Sequence, residues 1–419
     1  MKDVIPRQRI RKNCNNWKPG SSRQWNLVTS AYIVIFWILA LGKAKVRYIL
    51  GAYTILLTLS LHFGSQSVSH IISDFHRNKV PQRRSQEPQL LANIVSWSMS
   101  DETKHALEHN LAKLQWDDKE NVSHTKRFIQ DAKDILLPYI ANEEYLQWVL
   151  ANLLTEDGDD SASTSIDAIV LKNLPVDPYI PPTPTDESIR TLNKPTYVAE
   201  AILLALGELA GTLTVGYNSE TQYSNPWIHE GFPRPGPEGS ALTGTVEIPP
   251  HQDMSYQDVI PDLLGLICLR EGDDLDVQTT MISIETLIRI LPEYVISILR
   301  QKRFKITASA QWADTKMIST KTRAILDGQS LHLPVHWENM IGIDTEASEA
   351  IKALQQVLND SKPLGVHLKN GEMVLFNNQK VVHGRTPYRN LKYDGSDRVV
   401  VRSYFVKNLT ESELESRML

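Results

Sequence analysis

Two stretches in the second half of the chain decide the fold: residues 251–256 read HQDMSY, and residues 371–388 read GEMVLFNNQKVVHGRTPY. The first contains a His-x-Asp pair, His251 and Asp253, and the second contains His383. Two imidazoles and one carboxylate on one face leave open positions on a metal ion, and this is the ligand set of non-haem Fe(II) centres. We therefore take His251, Asp253 and His383 as candidate ligands of one ferrous iron.

The surrounding sequence has the pattern of many short strands with flanking helices. Runs rich in Val, Ile, Thr and Phe predict strands at 213–217, 244–248, 263–269, 278–284, 304–308, 373–376 and 398–406. Apolar residues at helical spacing predict helices within 89–115 and 128–154, and over 197–213, 284–301 and 345–358. This pattern favours an α+β fold whose core is a jelly roll, a double-stranded β-helix, buttressed by helices.

A second His-x-acid pair, His336 and Glu338, competes with the first, because a chain of this length contains about one such pair by chance. In a jelly roll the two ligand segments are separated by several strands. Five strands of about 5–6 residues with turns of about 4–6 residues need roughly 50–60 residues. His383 follows His336 by 47 positions and His251 by 132 positions. The spacing therefore favours His251 as the partner of His383.

These stretches, together with residues 261–270 (PDLLGLICLR) and 394–402 (DGSDRVVVR), resemble the clavaminate synthase-like branch of the TauD/TfdA oxygenase superfamily. The resemblance covers roughly residues 90–409 and is strongest in its second half. Many members of the branch carry Glu where Asp253 stands, and Asp is an equally competent carboxylate ligand. The resemblance implies Fe(II) as cofactor, 2-oxoglutarate and O2 as cosubstrates, and hydroxylation of an amino acid.

Two arginines follow His383 at a spacing that suits a dicarboxylate cosubstrate. The planar fork of arginine pairs well with a carboxylate, and Arg398 and Arg402 are predicted to share one face of a strand. By resemblance, Arg398 holds the C5 carboxylate of 2-oxoglutarate, Thr280 supports the same group, and Arg402 holds the carboxylate of an amino-acid substrate. Because Thr279 lies next to Thr280, either threonine could supply this supporting hydroxyl.

Three acidic residues are candidates for contacting the rest of the substrate. Glu247 lies four positions before His251, so that the two would share a strand face, and the resemblance implies contact with the substrate's amino group. Asp314 and Glu338 flank a poorly patterned stretch, and either would pair with a basic side chain of the substrate. For all three residues, a solvated surface position is the alternative.

Composition excludes several classes of protein. The 419 residues are 42% hydrophobic and 22% charged, an ordinary globular composition, and the net charge of −5 argues against a dedicated nucleic-acid binder. Cys14 and Cys268 are the only cysteines, so the sequence provides no disulfide framework and no cysteine-based metal site. We expect a small-molecule substrate and a cytoplasmic catalytic domain.

The first 85 residues differ from the rest and form an apolar extension with a linker. Residues 1–25 are basic, and two uncharged apolar runs follow at 26–42 and 48–64. Each run would reach about 25 Å as a helix, just short of the usual ~20-residue span. A membrane anchor, two buried helices and sequence added by a wrongly chosen start codon all remain open. The polar composition of residues 73–88 places the start of the oxygenase domain at residue 86 and gives it residues 86–419.

The sequence therefore predicts an Fe(II)/2-oxoglutarate-dependent dioxygenase that hydroxylates an unactivated C–H bond of a free or carrier-bound amino acid. A catabolic oxygenase of a sulfonate or other small organic anion, held by Arg402, is the enzymatic alternative. A membrane-tethered, non-catalytic binding protein on the same fold is the alternative from a different class.

Overall fold

The computed structural model describes residues 92–409 except 120, 156–165, 187, 190, 218–224, 237–242, 308–320 and 329. The apolar runs at 26–42 and 48–64 and the predicted domain boundary at residue 86 lie outside the described residues, so both stay predictions. None of the helices in the described part of the chain is long and apolar enough to cross a lipid bilayer.

In the described chain most of the helices precede most of the strands, and the other helices are inserted between strands. The helices are α1 (Asp101–Leu111), α2 (Val122–Ile140), α3 (Glu144–Asn152), α4 (Val198–Leu209), α5 (Ile284–Ile290), α6 (Glu293–Leu299) and α7 (Thr345–Asn359). The strands are β1 (Ile94–Ser98), β2 (Ala168–Lys172), β3 (Leu213–Val215), β4 (His229–Gly231), β5 (Ile248–His251), β6 (Leu263–Arg270), β7 (Thr279–Ser283), β8 (Phe304–Ile306), β9 (Leu326–Asp327), β10 (Ser330–Leu331), β11 (Met340–Gly342), β12 (Leu364–Val366), β13 (Met373–Asn377), β14 (Val381–Arg385) and β15 (Val399–Val406).

Two sheets form the jelly-roll core that the sequence predicts. The larger sheet has the strand order β1-β2-β13-β6-β15-β3, and β4 also pairs with β15. The smaller sheet has the order β12-β7-β14-β5. Met281 of the smaller sheet packs in one cluster with Leu264 and Phe376 of the larger sheet, so the sheets share a common apolar core.

The larger sheet is buried on both faces. Successive side chains of a strand point in opposite directions, so each strand contributes to both faces. On β13, Met373 and Leu375 pack in a cluster with residues of α2 and α4, whereas Val374 and Phe376 pack in the core between the sheets. This double burial explains why the strands read as continuous apolar runs. A third cluster unites α5, α6 and α7 beside the smaller sheet.

The prediction of helix at the start of 89–115 is wrong, because Ile94–Ser98 forms β1. This strand runs parallel to β2, with Ile94 opposite Ala168 and Trp97 opposite Leu171. The helix begins only at Asp101, where the Ser100 side chain accepts a hydrogen bond from the Thr103 N–H at 3.2 Å. Over so few residues, apolar spacing fits a helix and a strand equally well, and a distant partner strand decides between them.

Two further elements differ from their predicted bounds. The single helix predicted over 284–301 is two helices, since Leu291 is extended (φ −66°, ψ 140°) immediately before Pro292. A residue before proline is disfavoured in the helical region, so the helix ends there. The strand predicted over 244–248 begins only at Ile248, and Gly244 takes a positive φ of 83° in the preceding turn.

Candidate metal centre and adjoining cavity

The two candidate histidine ligands lie on neighbouring strands of the smaller sheet. His251 ends β5 and is the direct cross-strand partner of His383 on β14, and their ring centroids are 4.3 Å apart. Asp253 follows His251 by two residues, and one ligand atom from each of the three residues lies within 4.8 Å of the others. All three side chains are buried. The competing pair is not part of this group, and the Glu338 side chain is 77% exposed.

Hydrogen bonding orients His251 towards the candidate carboxylate. Its Nδ1 donates to the carbonyl oxygen of Pro249 at 2.9 Å, because a carbonyl can only accept. A neutral ring then carries its lone pair on Nε2, which lies 3.1 Å from Oδ1 of Asp253. Nε2 of His383 lies 3.8 Å from Oδ2 of the same carboxylate. In this tautomer a nitrogen lone pair faces a carboxylate oxygen, an arrangement that a divalent metal ion between them would satisfy, so the donor set fits such an ion.

Local electrostatics favour the protonation states that a metal ion requires. Burial, assisted by the charge of His251, lowers the pKa of His383 to about 3, so this ring is neutral at ordinary pH. Burial alone would raise the pKa of Asp253, but the nearby charge of Arg402 and the neighbouring His251 hold it well below its usual range. Metal binding needs an ionised carboxylate and neutral imidazole, and Asp253 and His383 meet these requirements.

A cavity of about 210 Å³ adjoins the two histidines. This volume is smaller than the roughly 300–1,000 Å³ of pockets for drug-sized ligands. Arginine, histidine and aromatic residues contribute much of its wall: His229, Phe232, Arg234, Arg385, Tyr388 and Arg402. The wall also includes the acidic Glu230, whose pKa burial raises to about 7. The described wall is therefore suited to small anionic groups.

Arg402 lies at the junction of the metal-ligand cluster and the cavity. Its Nη1 is 3.0 Å from Oδ2 of Asp253, and its Nη2 is 3.1 Å from Nδ1 of His229. His229 is the cross-strand partner of Arg402 on β4. Because a guanidinium can only donate, Nδ1 of His229 accepts this hydrogen bond.

Arg398 does not share the cavity wall with Arg402, which corrects the prediction of one strand face for both. It precedes β15, is buried, and donates from Nη1 to the carbonyl oxygen of Leu368 at 2.7 Å. The pairing of β15 with β6 is irregular at this end of the strand, since Val399 pairs with Arg270 and Val400 with Cys268, which leaves one extra residue on β6.

The charge of Arg398 nevertheless reaches the cavity wall. Burial raises the pKa of Tyr388, and the positive charges of Arg398 and Arg385 oppose that rise. Of the two neighbouring threonines on β7, Thr279 lines the cavity, whereas Thr280 is buried opposite Gly384 in the pairing of β14 with β7.

Neither Glu247 nor Glu338, two of the acidic residues proposed for substrate contact, is brought together with the metal-ligand cluster. Glu247 is exposed and precedes β5, so the argument that it shares a strand face with His251 fails. Glu338 is exposed on a short 3-10 turn, Trp337–Asn339. Asp314 lies outside the described residues.

Several residues around the site had not been singled out from the sequence. Arg385, two residues after His383, donates from Nη2 to the carbonyl oxygen of Val246 at 2.7 Å and packs against the Tyr388 ring. Of these residues, only Gln252 could have been identified from the sequence. It lies between two candidate ligands, and in an extended chain its side chain must point away from theirs. His229 and Arg385 depend on pairings that local sequence does not reveal.

Comparison with known proteins agrees with this geometry. No family model matches the chain. It is 26% identical over 242 residues to clavaminate synthase 2 of Streptomyces clavuligerus, and this match covers 56% of this chain and 73% of that protein. It is 24% identical over 272 residues to L-asparagine oxygenase of Streptomyces coelicolor, with 63% and 76% covered. The chain is thus similar to clavaminate synthase and to amino-acid oxygenases, in agreement with the resemblance to the clavaminate synthase-like branch of the TauD/TfdA oxygenases.

A solved member of this branch shares the fold. The structure of asparagine oxygenase in complex with Fe(II), a hydroxyasparagine and succinate superimposes with a TM-score of 0.61 at 20% identity, covering 74% of this chain and 93% of that one. The helix-buttressed jelly roll predicted from the sequence is therefore confirmed.

Proposed function

We propose that the protein is an Fe(II)/2-oxoglutarate-dependent oxygenase that hydroxylates a C–H bond of a free or carrier-bound amino acid. The observation that carries this proposal is the convergence of His251, Asp253 and His383 beside a small cationic cavity. The names of the relatives, which include L-asparagine oxygenase and L-lysine 3-hydroxylase, support an amino acid as substrate. Ferrous iron with 2-oxoglutarate and O2 supplies the oxidation of the C–H bond, and the cosubstrate leaves as succinate and CO2.

His251, Asp253 and His383 would hold the iron through two imidazole nitrogens and one carboxylate oxygen. The carbonyl of Pro249 fixes the tautomer of His251 by accepting from Nδ1, which leaves Nε2 as the ligand atom. The pKa of His383, lowered by burial, keeps that ring in its metal-binding form across the ordinary pH range. Three protein ligands leave positions for the cosubstrate.

Arg398 is proposed to pair with the 2-oxoglutarate carboxylate remote from the iron. Arg398 is buried, and its positive charge opposes the rise in the pKa of Tyr388, a residue of the cavity wall. Both observations support this role, although the Arg398 side chain is not part of the cavity wall. A buried guanidinium needs an anionic or hydrogen-bonding partner, and the cosubstrate carboxylate provides one. Thr279 is better placed than Thr280 to add a hydroxyl contact, because Thr279 borders the cavity.

Arg402 is proposed to bind the carboxylate of the substrate. It lines the cavity and lies within hydrogen-bond distance of Asp253, so an anion that it binds is held close to the metal. Positioning one substrate C–H bond against the reactive centre is the protein's main contribution to such chemistry. Glu247 and Glu338 are left out of this site because both are exposed.

Anaerobic addition of Fe(II) and 2-oxoglutarate to the full-length protein tests the proposal. We expect the metal-to-2-oxoglutarate charge-transfer absorbance, followed in air by succinate release that one or a few L-amino acids stimulate. The His336→Ala protein serves as a matched control, because His336 lies outside the ligand group. Stimulation by sulfonates or aryloxy acids alone would favour the catabolic alternative. Absence of the absorbance would favour a non-catalytic protein.

A further inference from the structure

Two buried amide side chains next to the ligand group have no role in the function proposed above. Asn378 is fully buried in the turn between β13 and β14, and Gln252 is 1% exposed between His251 and Asp253. Their hydrogen bonds lead to the ligand segments, to Pro261, to Gln379, to a nearby hairpin and to each other. Burying an amide costs free energy unless it is hydrogen-bonded. A buried network of this size therefore indicates a specific structural role.

The Asn378 side chain forms hydrogen bonds with both backbone groups of Asp253, the candidate carboxylate ligand. Its Oδ1 accepts from the Asp253 N–H at 3.3 Å, and its Nδ2 donates to the Asp253 carbonyl at 3.3 Å and to the Pro261 carbonyl at 3.0 Å. One side chain thus satisfies both the donor and the acceptor of residue 253. The position of this residue is fixed relative to the turn that leads into β14.

Gln252 makes the reciprocal connection from the first ligand segment. Its Nε2 donates to the Asn378 carbonyl at 2.9 Å and to Ser330 Oγ at 3.0 Å, and its Oε1 accepts from His332 Nδ1 at 3.2 Å. Its backbone N–H donates to the Leu333 carbonyl at 2.8 Å. The segment 251–253 is therefore tied both to the turn before His383 and to the β9–β10 hairpin.

The backbone at this point requires such support. Met254 follows Asp253 directly and has a φ of 58°, in the left-handed region that residues with a side chain seldom adopt. Conformations of this kind persist where the surroundings hold them in place. The two hydrogen bonds between Asn378 and the Asp253 backbone lie immediately before this turn, where the chain leaves β5.

We propose that Asn378 and Gln252 are positioning residues that set Asp253 relative to His383 and so define the metal site. Neither side chain is a ligand, and each acts through the backbone of the ligand segments. The proposal rests on the proposed function in assuming that the three ligands hold a metal. Loss of residues that orient metal ligands lowers metal affinity about 10–100-fold in comparable sites.

The test compares Asn378→Leu with Asn377→Leu in the full-length protein. Asn377 is also buried, but its Nδ2 donates to the Leu153 carbonyl at 2.9 Å and its Oδ1 accepts from the Gln379 N–H at 2.8 Å, and neither bond reaches the segment 251–254. Metal affinity would be measured anaerobically by competition with a chromophoric chelator, and Co(II) absorbance would report the ligand geometry. We expect Asn378→Leu to weaken Fe(II) binding at least tenfold and to alter the Co(II) spectrum, with both kept in Asn377→Leu.

Gln252→Met serves as a second variant if Asn378→Leu does not fold, because it keeps the side-chain length and removes the hydrogen bonds. The same loss of affinity is expected for it. Equal affinity and spectra in the wild type and in whichever of the two variants folds would overturn the positioning role. So would equal losses in the Asn377→Leu control. A wild-type protein that binds neither Fe(II) nor Co(II) would instead contradict the proposed function itself.

Discussion

Nη1 of Arg402 lies 3.0 Å from Oδ2 of Asp253, so a residue of the larger sheet is paired directly with a candidate metal ligand of the smaller sheet. The Arg402 side chain is 22% exposed and that of Asp253 is 7% exposed, so the pair is largely shielded from solvent. The pair links the metal-ligand cluster to the cavity.

Arg402→Met should destabilise the metal-free protein more than the metal-loaded protein. Removing the arginine leaves the Asp253 carboxylate buried without its cationic partner, which costs about 2–3 kcal/mol here, somewhat less than for a fully buried pair. A bound metal ion replaces that partner and reduces the loss. Urea unfolding with and without Co(II) measures the difference.

Arg385→Met is the matched control for this comparison, because Arg385 lines the same cavity but donates to backbone carbonyls. Its effect on the free energy of unfolding should be similar in the two metal states. If Arg402→Met also loses equal stability in both states, the ion pair does not govern the charge of Asp253.

Arg398 and Arg402 should affect different ligands. Arg398→Ala should raise the 2-oxoglutarate concentration required at least tenfold, as expected for losing a charge-assisted, buried pair of about 2–4 kcal/mol. Arg398→Lys should rescue this only in part, since an ammonium lacks the planar fork. Arg402→Ala should keep cosubstrate binding and lose substrate-stimulated turnover.

Paired titrations of each arginine variant measure the two roles: 2-oxoglutarate by charge-transfer absorbance and the substrate by succinate release. Equal loss of 2-oxoglutarate binding in both folded variants would show that the roles are not divided in this way. The case for a substrate carboxylate at Arg402 would then fail as well.

Glu230 should make the stability of the protein depend on pH. Burial raises its pKa from 4.5 to about 7, and the nearby Glu200 adds to the rise, whereas a hydrogen bond from the Leu192 N–H opposes it. A raised pKa means that the folded state binds the proton more tightly. The resulting stabilisation is complete below about pH 4.5 and is lost as the pH rises through 7.

Glu230→Gln should remove this dependence. Relative to the wild type, the variant should gain on the order of 1–3 kcal/mol in the free energy of unfolding between pH 5 and pH 8, measured in urea on metal-free protein. Glu338→Gln, at an exposed position, should change nothing. A wild-type pH profile in Glu230→Gln would show that Glu230 is not protonated in the folded protein.

The convergence of His251, Asp253 and His383 could be predicted from the sequence because it depends on a local motif and on the number of residues between the two segments. The choice of His251 over His336 needed only the number of residues that intervening strands occupy. The helix expected around Ile94 was wrong because its partner, β2, lies far away in sequence. Periodicity over five residues does not specify which long-range pairing supplies the hydrogen bonds.

The substrate side of the site was harder to predict for the same reason. Arg402 was found by its spacing from His383, but its partner His229 belongs to a three-residue strand without a distinctive pattern. The expectation for Glu247 assumed a strand that begins only after it. The register shift beside Arg398 likewise depends on the pairing of β15 with β6.

Removal of residues 1–85 should leave a protein that still consumes 2-oxoglutarate, because all the residues assigned to chemistry lie at or beyond His229. The expected result is unchanged charge-transfer absorbance and succinate release in the truncated protein. Membrane fractionation of the full chain tests the anchor independently. A truncated protein that is folded but inactive would show that the first 85 residues complete the site.

The most direct test of the central claim is anaerobic titration of ligand variants with Fe(II) and 2-oxoglutarate, followed by the charge-transfer absorbance. His251→Ala, Asp253→Ala and His383→Ala should each lose this absorbance and all turnover, whereas His336→Ala should keep the absorbance at wild-type strength. Loss of the absorbance in His336→Ala together with its retention in His251→Ala would contradict the assignment of the metal centre.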